Sequence, residues 1–207
     1  MGSMADKYCD FADLERHEQA GVTYDIAVRR AQPRFAIVAP HGGSIEAGTS
    51  EIADAVAGRL HSFYTFEGLK ASANHDLHIT ATRFDEPMCL TVIGVSEVVV
   101  TIHGEHSDQD GEGVFRGGLD TNLGDTIEGK LSGAGFDVRV HPDPHLQGRE
   151  ATNLCNRGRS NAGVQLELSK AVRRTMFESL KPEGRLHTTA RFDAFVAALR
   201  AALASSP

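Results

Sequence analysis

The chain has 207 residues, a length that fits one domain spanning residues 1–207, because single cores seldom divide below about 250 residues. It is 41% hydrophobic and 24% charged, the composition of a globular protein that can bury a substantial core. Its 21 basic and 28 acidic residues give a net charge of −7, which argues against a nucleic-acid partner, since such proteins carry a basic surface.

Short apolar runs and amphipathic stretches alternate along the chain. The run at 97–102 is rich in β-branched residues, which is typical of a central strand, and apolar side chains at helical spacing predict the helices. Predicted strands cover 35–39, 62–66, 77–81, 97–102, 135–140 and 163–168, and predicted helices cover 49–60, 119–131, 169–180 and 189–204. Because strands alternate with helices, the sequence predicts an α/β fold with a mixed, mostly parallel sheet.

The cysteines and the hydropathy pattern predict a reducing, aqueous compartment. Cys9, Cys89 and Cys155 are odd in number and widely spaced, which argues against a disulfide framework. No run of 18 apolar residues exists, so the sequence predicts no transmembrane helix and no membrane partner. The N-terminus has no charged and then apolar signal, so we expect a cytoplasmic protein that lysis could release, and we interpret residues 1–3 as an expression scar.

Two histidine-containing loops directly follow predicted strands. Pro40–Glu46 follows the strand at 35–39, and His103–His106 follows the strand at 97–102. Ligands of open α/β sheets bind beyond the carboxyl ends of the strands, so His41, Glu46 and His103 could form the three-ligand set of a catalytic zinc. The spacing matches no short zinc motif, so structural roles for both histidines stay open, and Glu46 could instead interact with the following helix N-terminus.

A carboxylate within the last predicted strand is a further candidate. Alternation places Gln165 and Glu167 on the face opposite the aliphatic side chains of that strand. A buried carboxylate is costly unless it is paired or functional, and next to a metal it would be a natural general base. A solvated face on an edge strand is the alternative.

Two other polar segments are weaker candidates. Asn156 and Arg157 lie in a loop whose amide and guanidinium groups suit a substrate carboxylate, although composition alone favours a solvated loop. His75 and His78 have H-x-x-H spacing, but within a strand their side chains would point to opposite faces.

Five motifs together carry a family resemblance: Pro40–Glu46, Leu77–Pro87, Thr101–Gly104, Asn153–Arg157 and Gly163–Ser169. In this order they resemble the phage-type poly-γ-glutamate hydrolase family, a group of zinc-dependent amidases, across about residues 35 to 175. The resemblance implies a fold like that of zinc carboxypeptidases, with helices on both faces of a mixed sheet. It also implies hydrolysis of γ-glutamyl amide bonds in poly-γ-glutamate by a metal-activated water.

The resemblance assigns roles to particular residues. It implies that His41, Glu46 and His103 bind one Zn²⁺ per chain and that Glu167 is the general acid/base. It implies substrate contacts for Asn156, Arg157 and His78. Zinc carboxypeptidases use the tighter H-x-x-E, whereas here four residues separate the first histidine from the glutamate.

Other substrates and a non-catalytic role remain alternatives. A zinc amidase of this kind could act on a small N-acyl-glutamate or a short γ-glutamyl peptide, and a protein without turnover could bind anionic peptides. The acidic total does not exclude an anionic partner, because residues 149–191 hold nine Lys or Arg and four Glu, a net charge of +5. Steering depends on the local field rather than on the total charge.

Overall fold

The computed structural model describes residues 6–105 and 111–206, so His106 and the proposed expression scar at residues 1–3 lie outside the described residues. Seven strands form one sheet: β1 Tyr24–Arg29, β2 Gln32–Gly43, β3 His61–Gly68, β4 Val98–Glu105, β5 Val114–Gly118, β6 Val138–Val140 and β7 Val164–Ser169. Their order in the sheet is β1-β3-β2-β4-β7-β5-β6. β1 pairs with β3 and β5 with β7 antiparallel, and the other pairings are parallel. The predicted mixed, mostly parallel sheet is confirmed.

Helices cover both faces of the sheet, as the resemblance implied: α1 Phe11–Glu15, α2 Thr49–Ala57, α3 Pro87–Val95, α4 Thr121–Gly133, α5 Lys170–Met176, α6 Pro182–Arg185 and α7 Ala190–Ser205. One core lies between the sheet and α2, α4, α5 and α7. A second core lies on the opposite face, under α1 and α3. Within the described ranges, no helix combines the length and the apolar character needed to cross a bilayer.

The central strands are buried on both faces. In β4, Val100 and Ile102 belong to the first core, while Val99 belongs to the second. Strands that bury both faces read as continuous aliphatic runs, which is why the sequence pattern located β2 and β4, whereas β7 was located by the alternation of aliphatic and polar residues. The same alternation places His103 on the face of Val99.

The predicted strand at 77–81 is wrong. Asn74–Leu77 forms a 3₁₀ turn, and residues 78–80 belong to no strand of the sheet. Their backbone groups bond to side chains instead: the Ile79 carbonyl accepts from His41 Nε2 at 2.8 Å, and the Thr80 N–H donates to Asp6 at 2.7 Å. The turn also stacks the rings of His75 and His78 at 5.5 Å, because residues three apart eclipse in a 3₁₀ helix.

The boundaries of three predicted elements also move. β2 continues past Pro40 to Gly43, so His41 lies within the strand rather than after it, next to a register irregularity against β3. α2 ends at Ala57 rather than at residue 60, because Gly58 adopts a φ of +53°. Three-residue β6 is much shorter than the predicted 135–140 strand.

Candidate metal centre

The candidate residues meet at the carboxyl ends of three adjacent strands. β2, β4 and β7 are neighbours and run parallel, so His41, His103 and Glu167 reach the same edge of the sheet. His103 and Glu167 are direct partners in the β4–β7 register, and aligned residues of neighbouring strands point to the same face.

A tight turn brings Glu46 back to His41. The Glu46 N–H donates to the His41 carbonyl at 2.9 Å, and Gly43 adopts a φ of +62°. A Cβ at Gly43 would lie 2.7 Å from the Gly68 carbonyl oxygen. Glycine is therefore required here both for the left-handed backbone and for the close approach of β3.

The side chains of the turn and of β4 form a buried acceptor cluster. His41 Nε2 lies 2.8 Å from the Ile79 carbonyl and must donate to it. His41 Nδ1 then faces Glu46 Oε1 at 3.1 Å and His103 Nδ1 at 3.2 Å. A neutral His41 would direct a lone pair at the carboxylate, so this cluster requires a shared proton or a metal cation.

The charges of the cluster favour a proton on His41 in the absence of metal. Burial disfavours an imidazolium, but the Glu46 carboxylate raises the pKa of His41 above its ordinary value. Burial likewise opposes ionisation of Glu46, yet His41, followed by His103 and His78, holds the pKa of that carboxyl well below its usual range. Burial lowers the pKa of His103 to about 3. His103 Nε2 is buried and has no hydrogen-bond partner among residues 6–105 and 111–206.

His78 also joins the cluster. Its ring lies 4.0 Å from the ring of His41, and its Nε2 lies 3.9 Å from Glu46 Oε1. Donor atoms of His41, Glu46 and His78 all lie within 4.8 Å of one another. The structure therefore brings four protein groups together, where the sequence assigned three to the metal and His78 to the substrate.

Asp6 orients His78 and was missed by the sequence analysis. One carboxylate oxygen accepts from His78 Nδ1 at 2.7 Å, and the other accepts from the Thr80 N–H at 2.7 Å. Burial opposes ionisation of Asp6, but the hydrogen bonds from His78 and Thr80 hold the pKa of Asp6 well below its usual range. Because Nδ1 donates to Asp6, His78 Nε2 presents a lone pair to the cluster. No pattern in the sequence links residues 72 positions apart.

Glu167 is held by a chain of amides. Its Oε1 accepts from Gln165 Nε2 at 2.9 Å, and Gln165 Oε1 accepts from Asn153 Nδ2 at 2.9 Å. Burial raises the pKa of Glu167 well above its usual range, and the carboxylates of Glu46 and Glu105 raise it further. The carboxyl group of Glu167 is therefore poised to hold a proton until a cation enters the site.

Arg173 clamps the loops around the cluster, another role the sequence analysis missed. Its buried guanidinium donates to the carbonyls of Leu168 at 3.1 Å, Ala47 at 2.7 Å and Glu105 at 2.9 Å. These carbonyls lie at the end of β7, directly after Glu46, and at the end of β4. A Cβ at Gly104 would lie 2.6 Å from Arg173 Cζ, so the glycine after His103 makes room for the clamp.

The predicted substrate contacts of Asn156 and Arg157 stay predictions. Asn156 Nδ2 donates to two carbonyls, those of Gly148 and Glu150, at 2.8 Å each, and its Oδ1 accepts from the Gly163 N–H at 3.2 Å. Arg157 Nη1 donates to the Phe84 carbonyl at 2.9 Å. In this structure both side chains bond to the backbone of neighbouring loops.

Comparison with known sequences gives a consistent family match. A family model described as poly-gamma-glutamate hydrolase matches residues 8–198. The SPbeta prophage-derived UPF0714 protein YoqZ of Bacillus subtilis (strain 168) is 36% identical over 182 residues, which are 87% of this chain and 65% of YoqZ. UPF0714 protein YmaC of the same organism is 33% identical over 201 residues, 96% of this chain and 84% of YmaC. The chain thus spans just under two thirds of the length of YoqZ.

Solved structures agree. A bacteriophage poly-gamma-glutamate hydrolase superposes with a TM-score of 0.93 at 35% identity, covering 97% of both chains. A zinc-free form of YndL gives 0.91 at 31% identity, covering 97% of this chain and 98% of that one. An N-formylglutamate amidohydrolase from Ralstonia eutropha JMP134, at 12% identity and a TM-score of 0.50 over 87% of this chain and 95% of that one, shares the fold alone.

Proposed function

The chain belongs to the poly-γ-glutamate hydrolase family, and on this premise we propose that it is a zinc-dependent amidohydrolase that cleaves γ-glutamyl amide bonds of poly-γ-glutamate. His41, Glu46 and His103 would hold one Zn²⁺ per chain, and Glu167 would serve as the general acid/base. The observation that carries the proposal is the buried convergence of His41 Nδ1 on Glu46 Oε1 and His103 Nδ1, at 3.1 and 3.2 Å.

The donor set supports zinc. Imidazole nitrogens and a carboxylate oxygen are the usual ligands of catalytic zinc, which keeps three protein ligands and one open position. The hydrogen bond from His41 Nε2 to the Ile79 carbonyl has the form that fixes the tautomer of a metal-binding histidine.

The proposed chemistry divides between the metal and the chain. When bound, Zn²⁺ supplies a Lewis acid that polarises the amide carbonyl and acidifies water. The Glu167 carboxylate accepts the proton of the attacking water and donates it to the departing amine nitrogen. Gln165 holds one oxygen of Glu167 at 2.9 Å, which leaves the other oxygen for proton transfer. A cation beside Glu46 would offset the neighbouring negative charge and favour the ionised form of Glu167.

The local positive charge of the chain suits a polyanionic substrate such as poly-γ-glutamate. Each γ-linked glutamyl residue carries a free α-carboxylate, so the substrate is a polyanion. Residues 149–191, with a net charge of +5, include Arg157 and would attract such a chain. His78, oriented by Asp6, would face the substrate or support the metal.

The test is hydrolysis of poly-γ-glutamate by the purified protein. We expect chain shortening, measured by size-exclusion chromatography, that stops after chelation and returns when zinc is added. Poly-α-glutamate is the matched control, because it has the same charge and a different linkage, and it should remain intact. Full activity in protein holding less than about one tenth of a zinc per chain would overturn the metal assignment.

A further inference from the structure

A row of side chains extends from the candidate metal centre toward the β6 edge of the sheet. His103 pairs with Glu167, Glu167 with Phe115, and Phe115 with Arg139, on four neighbouring strands. Register partners point to the same face of a sheet, so all four lie on the face of the metal centre. Neighbouring strands lie about 4.8 Å apart, so the backbone of Arg139 lies about 10 Å from the backbone of Glu167.

The guanidinium of Arg139 lies over Phe115, near the end of β7. Its Cζ is 5.1 Å from the centre of the Phe115 ring, and the side chain is 46% exposed. A Cβ at Gly113 would lie 3.3 Å from Arg139 Nη2, and the Gly113 N–H donates to Ser169 Oγ at 3.0 Å. The charged group therefore lies near the edge of the sheet where β7 ends. Its ion pair with Asp137 is long, at 3.5 Å.

His141 contributes a buried donor beside the same ring. Its ring centre lies 4.7 Å from that of Phe115, and the residue is 5% exposed. Nδ1 lies 3.0 Å from the Asp143 N–H and 3.3 Å from the Asp143 carbonyl; the shorter contact makes Nδ1 the acceptor, so in the neutral ring the proton is on Nε2. That Nε2–H has no acceptor in the described part of the chain. A buried donor without a partner is uncommon in native proteins and indicates a ligand that supplies the acceptor.

The loop that carries His141 is tied to Glu167. Gln147 Nε2 donates to the His141 carbonyl at 2.7 Å, and Gln165 Nε2 donates to the Leu146 carbonyl at 3.1 Å. Gln165 is also the residue that bonds to Glu167. Residues 141–147 therefore form a wall next to Glu167, and Phe115, which belongs to neither hydrophobic core, lies at its base.

We propose that Arg139 and His141, with Phe115 beneath them, form a binding subsite for the free α-carboxylate of a γ-glutamyl residue that flanks the scissile amide. Guanidinium and imidazole N–H groups are both donors suited to a carboxylate. The subsite rests on the proposed function, because its position along the substrate assumes that the scissile amide lies next to Glu167. It selects substrates with α-carboxylates on the β6 side of the metal centre.

The test compares two γ-linked glutamyl pentamers, one with free α-carboxylates and one with α-carboxamides. Binding is measured by calorimetry in the Glu167→Gln background, so that turnover does not interfere. The starting protein should bind the carboxylate pentamer about tenfold or more tightly than the carboxamide, as expected for a charge-assisted contact. Adding Arg139→Gln should remove most of that preference, and adding Arg139→Lys should retain part of it.

Arg59→Gln is the matched control, because Arg59 is exposed and precedes β3, which lies in the half of the sheet away from β6. It removes the same charge and should leave the preference unchanged. His141→Phe keeps a ring against Phe115 and should weaken carboxylate binding several-fold. If the His141→Phe variant fails to fold, the Arg139 variants still test the subsite, because the Arg139 side chain is half-exposed.

An unchanged preference in the Arg139→Gln protein would overturn the subsite. So would equal binding of both pentamers before that substitution is made. If the wild-type protein cleaves poly-γ-glutamate in either case, the proposed function stands and only the subsite fails. If the wild-type protein cleaves no γ-linked polymer, the proposed function itself fails.

Discussion

At the scale of single residues, the candidate metal centre is a buried cluster with more hydrogen-bond acceptor atoms than protons to satisfy them. The Nε2–H of His41 donates a hydrogen bond to the Ile79 carbonyl, and Nδ1 of the same ring faces Glu46. A proton or a metal cation can occupy that position, and each excludes the other. Zinc binding should therefore release protons and weaken as the pH falls.

Replacing Glu167 tests the catalytic role separately from the metal. Glu167→Gln keeps the shape of the side chain and removes its ability to carry a proton. Hydrolysis of poly-γ-glutamate should fall by a factor of about 10² to 10⁴, while bound zinc, measured by atomic emission, stays at the wild-type level. A variant that loses zinc together with activity would show that Glu167 supports the metal, and normal hydrolysis would refute its assignment.

The pKa of His103 predicts how the metal-free protein responds to acid. Its native pKa is about 3, against about 6.5 in the unfolded chain. Between these values the unfolded state binds more protons at this side chain, so the contribution of His103 to stability falls as the pH decreases from about 6.5 toward 3, by at most about 1.4 kcal/mol per pH unit. Urea unfolding of the metal-free protein and of its His103→Gln variant should give stabilities whose difference changes with pH by this slope. Parallel curves for the two proteins would contradict the prediction.

The sequence indicates some of these residues and hides others. His41, Glu46 and His103 follow aliphatic runs and Glu167 lies in an alternating strand, so the strand pattern itself brings them together. Asp6 reaches its partner only through the tertiary fold. The spacing of His75 and His78 was interpreted on a strand, and the 3₁₀ turn reverses that conclusion.

At the scale of elements, side chains compete with the sheet for backbone groups. The alternating pattern of 77–81 predicts a strand, but Ile79 and Thr80 bond to His41 and Asp6 instead. Hydrophobic alternation reports burial of one face and not the identity of the hydrogen-bond partners. The strands β2 and β4 were predicted correctly from their long aliphatic runs, because burial on both faces leaves few alternatives.

Arg173 allows a test of how α5 supports the centre. Arg173→Met removes three hydrogen bonds to buried carbonyls and should lower the free energy of unfolding by about 3 kcal/mol or more. Zinc affinity, measured by competition with a chromophoric chelator, should fall too, because Ala47 and Glu105 lie next to the proposed ligands. Arg173→Lys should show intermediate values. Unchanged zinc affinity in both folded variants would show that Arg173 does not support zinc binding.

At the scale of the whole molecule, charge is distributed unevenly along the chain. Residues 149–191 carry +5, although the total is −7. If the positive region attracts the polymer, raising the ionic strength from about 20 mM to about 200 mM should raise KM several-fold and leave kcat nearly unchanged. Steady-state kinetics on poly-γ-glutamate measure both constants. A KM that falls with salt would show that the acidic remainder dominates.

The order of the strands in the sheet has a consequence for the exchange of chain segments between members of the family. β5, α4 and β6 come between β4 and β7 in the chain, yet in space they lie outside the strands that carry His103 and Glu167. Residues 114–147, with Arg139 and His141, therefore form a cassette that can diverge while the metal ligands stay fixed. Chimeras that exchange this cassette would show whether family members acquire new substrate preferences by recombining it.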